Sequence, residues 1–124
     1  IIEHPRYAGG HLGAAHMQDL DDPRFDFERV IPEIHAIFAE LGIDPAGIPI
    51  IAAGGINSPQ RLQAALVTGA SAVQVGTPFA VSAEGDAHPE FKRVLAEAKP
   101  ADIVTFMSAA GLPARAVRTP WLER

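Results

Sequence analysis

The 124-residue sequence contains no cysteine, which excludes disulfides and thiolate metal sites. It has no run of lysine and arginine, and its net charge is −5 at neutral pH; both argue against nucleic-acid binding. No apolar stretch reaches the roughly 18 residues a membrane span needs, so no membrane association is expected. No secretory leader is visible, and a cytoplasmic location is the expectation. There is also no initiator methionine. The chain opens on Ile1-Ile2-Glu3, which reads as the end of a strand, so a start partway through a longer protein is expected. Hydrophobic residues make up 48% and charged residues 20%, ordinary for one globular domain or part of one.

What is present is organised around two apolar runs that end on glycine. They are Ile50-Ile51-Ala52-Ala53-Gly54-Gly55-Ile56 and Ala72-Val73-Gln74-Val75-Gly76-Thr77-Pro78-Phe79. Glycines at successive strand ends let main-chain N–H groups approach a ligand closely. In parallel α/β folds, ligands bind at the carboxyl ends of the strands. A phosphate cup is the first functional expectation, with two tight turns as the plainer alternative.

Around these runs the pattern alternates. Ile1–Glu3 is a candidate strand end, and His4–Arg24 reads as a long loop, a length usually associated with function. Phe27, Val30, Ile31, Ile34, Ile37, Phe38 and Leu41 recur at helical spacing, with Pro32 near the first turn and Gly42 as the stop. Ile48–Ala53 is apolar without alternation, as in a strand buried on both faces. Ser58 and Pro59 suit the cap and first position of a second helix, whose inner face is Leu62, Ala65 and Leu66 and whose end is Gly69. Ala72–Val75 is the next strand. His88–Lys99 is a third amphipathic helix, with Phe91, Val94, Leu95 and Ala98 inward, stopped by Pro100. Ile103–Met107 is a short apolar run, and Ser108–Arg124 reads as loop. Strands alternating with helices imply a parallel sheet. Three strands cannot cover such a sheet on every side. Either the chain is part of a (β/α)8 barrel, or it associates with another copy of itself as a homo-oligomer.

Three motifs stand in order: Ala8-Gly9-Gly10-His11-Leu12-Gly13, Ile50–Ile56 and Val73–Phe79. With Glu84-Gly85-Asp86-Ala87-His88-Pro89 and Gly111-Leu112-Pro113-Ala114-Arg115-Ala116, they resemble the nitronate monooxygenase (2-nitropropane dioxygenase) family over nearly the whole chain. The resemblance implies an α/β fold, the FMN-binding (β/α)8 TIM barrel. Residues 1–124 would then form the C-terminal portion of that domain, with Ile1–Glu3, Ile50–Ala53 and Ala72–Val75 as barrel strands six, seven and eight. It implies FMN as cofactor, a nitronate or nitroalkane as small-molecule substrate, and dioxygen as oxidant. It places the catalytic base at His11, and the cofactor contacts at Gly9, Gly10, Gly54, Gly55, Gly76 and Thr77. Pro78 stands where relatives often carry arginine.

Other readings remain open. A flavin-dependent enoyl-acyl-carrier-protein reductase shares the fold and the cup. A flavin-free barrel for a phosphorylated metabolite would use the same cup, with Glu3 as its lone strand-end acid. The chain by itself, lacking the other strands, can be inactive. By position alone His11 is an ordinary loop histidine as readily as a base. His4, His11 and His16 lack the spacing of a helical metal pair, so no metal is expected. Asp19, Asp21 and Asp22 read as a solvated loop, and Arg115 and Arg118 as either surface charges or contacts to substrate or a lid.

Overall fold

The computed structural model describes residues 1–11 and 13–123. Its parallel sheet has the order β1-β3-β4, formed by β1 (Ile2–Glu3), β3 (Ile51–Ala53) and β4 (Ala72–Gln74). Ile2 lies opposite Ala52 and Ala52 opposite Val73. This row points into a core of Ile31, Ile50, Ala52, Ile56, Ala65 and Ala70. The next row, Glu3, Ala53 and Gln74, points to the other side, because successive strand residues alternate faces. Helix α1 (Phe27–Glu40) connects β1 to β3, and α2 (Pro59–Val67) connects β3 to β4. This is the expected parallel α/β unit.

The helix starts follow capping chemistry. The Ser58 hydroxyl accepts from the Arg61 N–H, with Pro59 just inside the helix. Asp26 caps α1 by position, but its carboxylate makes no cap bond; it accepts from His4 instead, at 3.2 Å. Pro32 lies inside α1 rather than in its first turn, because the helix begins as early as Phe27. Gly42 and Gly69 follow the two helices at positive φ, 67° and 111°, where only glycine is unstrained. His35 Nε2 lies 2.9 Å from the Gly69 carbonyl. That oxygen only accepts, so Nε2 carries the proton and ties α1 to the α2–β4 turn.

Several expectations are corrected. Ile48 and Pro49 are not in β3: Ile48 caps a 3-10 turn at Pro45–Gly47, and Pro49 has no N–H for a ladder. The expected loop at His4–Arg24 contains β2 (Gly10–His11) and 3-10 turns at Met17–Asp19 and Pro23–Phe25. The expected loop at Ser108–Arg124 contains β6 (Pro113–Val117). With β5 (Ile103–Met107), β6 and β2 form a second, antiparallel sheet in the order β2-β6-β5. The chain after Gly76 is a short helix, α3 (Thr77–Ala80), followed by α4 (Pro89–Glu97).

The apolar stripes are only half covered. Ile31 is fully buried, but Ile37 is 50% exposed and Leu41 68%. Leu62 and Leu66, expected inward, are also exposed, and so is Phe91 on α4. Strands of two or three residues offer too little surface to cover whole helix faces. The Lys92 ammonium donates to the carbonyls of Ser82 and Gly85 and fastens the α3–α4 loop to α4.

Truncating Ile31 to alanine removes the largest fully buried side chain of the core. A loss of about 2–5 kcal/mol is expected, read as a lowered denaturation midpoint of the full-length protein.

Candidate functional site

The loop leaving β1 lies directly on the turn leaving β3. The His4 N–H donates to the Ala53 carbonyl at 2.9 Å, and the Tyr7 and Ala8 N–H groups return to the His4 carbonyl. Gly54 (φ 98°) and Gly55 (φ 73°) adopt backbone angles that disfavour side chains. A Cβ on Gly54 would sit 3.0 Å from the His4 oxygen, and one on Gly55 2.9 Å from Tyr7. The expected glycine pair is thus required by backbone geometry and by close approach together.

His4 is buried. Its Nδ1 accepts from the Arg6 N–H at 3.3 Å, and its Nε2 donates to Asp26 Oδ1 at 3.2 Å. Both nitrogens are committed, so His4 is a structural link between the β1 loop and α1. Among the described residues no group of three or more His, Cys, Asp or Glu side chains is arranged to hold a metal ion.

An open cleft of about 550 Å³ lies above the carboxyl ends of β1, β3 and β4. It brings together five of the expected site residues: Gly9, Gly54, Gly55, Gly76 and Thr77. Glu3, Asn57 and Gln74 add polar groups, and Arg61 and Arg115 add positive charge. Burial pushes the Glu3 carboxyl above the usual carboxylate range. Gly10 and His11 form β2, with Gly10 opposite Arg115 and His11 opposite Ala114 of β6. Their main chain, in the two residues that follow Gly9, is therefore fixed beside the cleft. The His11 side chain lies outside what the structure describes, as does Leu12.

Gly9 and Gly76 differ in kind from Gly54 and Gly55. Neither has positive φ, and among the described residues a Cβ on either would meet nothing within 4 Å. Neither packing nor backbone conformation demands glycine there; both residues keep space open along the cleft. Gly76 caps α3, and its carbonyl accepts from the Phe79 and Ala80 N–H groups. Pro78 follows Thr77 and has no N–H to offer.

Arg61 is a residue the sequence reading passed over. Its Nη1 donates to the Gly55 carbonyl at 3.1 Å, and its guanidinium stands 5.4 Å from the centre of the Tyr7 ring. The available signal was its place three residues after the cap Ser58, in the first turn of the helix that follows Gly54-Gly55. A smaller hollow of about 270 Å³ shares Tyr7, Gly55 and Arg61 with the cleft, and opens between α1 and α2 beside His4 and Asp26.

Comparison with known proteins gives this geometry a family. The family model described as nitronate monooxygenase matches residues 2–124. A probable nitronate monooxygenase of Bacillus subtilis is 33% identical over 94% of this chain, and one of Staphylococcus saprophyticus is 30% identical over all of it. These alignments cover 31% and 33% of the relatives, so the chain spans about a third of their length. A solved structure of FabK from Thermotoga maritima matches with a TM-score of 0.65 and 34% identity, over 98% of this chain and 33% of that one. The chain belongs to the nitronate monooxygenase family, and its fold is a portion of an α/β TIM barrel. No helix among the described residues is long and apolar enough to cross a membrane.

The two kinds of glycine are separable by substitution. Gly55→Ala is expected to cost about 1–3 kcal/mol through strain and the Tyr7 clash. Gly76→Ala should stay within about 0.5 kcal/mol. Thermal unfolding of the two full-length variants, side by side, checks the contrast.

Proposed function

From membership of the nitronate monooxygenase family, we propose that this chain is part of an FMN-dependent oxidoreductase. Its substrates are alkyl nitronates or nitroalkanes together with dioxygen, and a cytoplasmic location belongs to the same reading. In this reading β1, β3 and β4 are barrel strands six, seven and eight, and the cleft above them takes the phosphate end of the cofactor. The observation that carries it is the pair Gly9 and Gly76. Both line the cleft, and among the described residues no close neighbour and no positive φ calls for glycine at either.

The residues present fit the group. A phosphate suits main-chain N–H groups at glycine turns. Gly54, Gly55 and Gly76 bring bare main chain to the cleft, and Thr77 adds a hydroxyl. FMN, when bound, supplies the electron-accepting ring through which substrate electrons pass to dioxygen. The protein's part is position and proton transfer. His11, held at its main chain by β6, is assigned the base. A neutral imidazole there accepts the carbon-bound proton of a nitroalkane. The resulting imidazolium then steadies the anionic nitronate. Gly9 and Gly10 let that loop approach the ring without a side chain in the way.

The likeness to the FabK structure favours one second reading, a flavin-dependent enoyl-acyl-carrier-protein reductase using the same cleft. Oxygen uptake with a nitronate supports the first reading. NAD(P)H oxidation dependent on an enoyl thioester supports the second.

The full-length protein is expected to purify yellow and to consume oxygen when a nitronate is added. His11→Asn should lower turnover of a neutral nitroalkane by about 10²–10⁴-fold while leaving the flavin bound. A colourless protein that gains no flavin spectrum with added FMN contradicts the proposal. Unchanged turnover removes His11 from the base role.

A further inference from the structure

We propose that Arg61 and Arg115 form a two-guanidinium clamp on the glycine cleft, and that this clamp makes the site select a phosphorylated ligand over its unphosphorylated counterpart. The inference rests on the flavin reading above and deepens it.

Both side chains line the cleft together with Gly76, Thr77 and Pro78. They come from distant parts of the chain, yet each meets the loop that follows β1. Arg115, on β6, donates from Nη1 to the Arg6 carbonyl at 2.6 Å. Arg61, on α2, donates to the Gly55 carbonyl and lies over the ring of Tyr7, the next residue after Arg6. A guanidinium has five N–H donors, and these contacts use one N–H group of each. The contacts tether each guanidinium at the cleft, and donors remain for a second acceptor. That arrangement suits the bidentate capture of phosphate oxygens.

The charges are not spent elsewhere among the described residues. Ion pairs engage Arg6, Arg24, Arg29 and Arg93 with neighbouring carboxylates, whereas Arg61 and Arg115 have no carboxylate partner there. The acidic residue on the cleft lining is Glu3, whose carboxylate reaches to within 3.9 Å of where a Cβ on Gly13 would stand. The glycine cup also has a deficit for these arginines to fill. Bare main chain brings partial charges only, and Pro78 contributes neither an N–H nor a positive group. Two guanidinium groups supply the full charge that a dianion calls for.

The test compares FMN with riboflavin, which differ only in the phosphate, by fluorescence titration of the full-length apoprotein. The wild type is expected to prefer FMN. Arg61→Gln and Arg115→Gln should each weaken FMN binding about tenfold and leave riboflavin binding unchanged. Arg115→Lys should recover part of the preference, since charge returns without the fork. The wild-type preference should also shrink as salt rises, a reading that needs no variant to fold. Equal losses for both flavins, or a preference that survives both substitutions and high salt, overturn the clamp. A wild type that binds both flavins equally also overturns it and leaves the flavin reading standing. A wild type that binds neither overturns both.

Discussion

The absence of two side chains, at Gly54 and Gly55, is the constraint on which the rest of this structure depends. It lets the main chain of His4 and the ring of Tyr7 lie directly on the β3 turn, 2.9–3.2 Å from where a Cβ would stand, so that a side chain there would force a shift. That contact sets the path of the chain from β1 to Gly9. It also places the Arg6 carbonyl within reach of Arg115, and the Tyr7 ring beneath Arg61. The His4–Asp26 bond extends the same tie to the start of α1. One close approach thus joins the ends of β1 and β3, two helices and the antiparallel β2-β6 pair.

The electrostatics of the cleft follow from this assembly. Strand ends and glycine turns line the cleft with main chain, and Arg61 and Arg115 line it with two guanidinium groups. Glu3 and Gln74 flank the small Ala53 in the row beneath. The result is a surface with bare main chain, positive charge and open volume in one place, inside a chain whose net charge is −5. In an acidic protein such a concentration of positive groups has a local cause, and the proposed cofactor phosphate supplies one.

The parallel half of the fold was legible because its signals are local. Apolar runs that stop on glycine marked β3 and β4, and a serine–proline start with a glycine stop marked α2. The antiparallel half was hidden by its shortness and by distance. Gly10–His11 is two residues long, and Pro113-Ala114-Arg115-Ala116-Val117 is poor in the β-branched and aromatic residues that announce a strand. Their pairing, across about a hundred positions of sequence, is fixed by tertiary contact rather than propensity. For the site, five expected residues line one cleft because the β1 loop and the turns after β3 and β4 lie at the same end of the parallel sheet. Arg61 went unseen because an arginine in the first turn of a helix usually faces solvent. Leu41 and Val67, on the same helical patterns, stay exposed, because helical spacing marks a periodicity and not how much of a face the short strands cover.

The central claim is that the cleft above β1, β3 and β4 receives a flavin phosphate. A structure of the full-length protein with FMN tests it most directly. The account predicts phosphate oxygens at hydrogen-bonding distance, about 2.7–3.2 Å, from main-chain nitrogens of the Gly54-Gly55 turn and the Gly76-Thr77 turn. A phosphate bound elsewhere, with this cleft left to solvent, would contradict it.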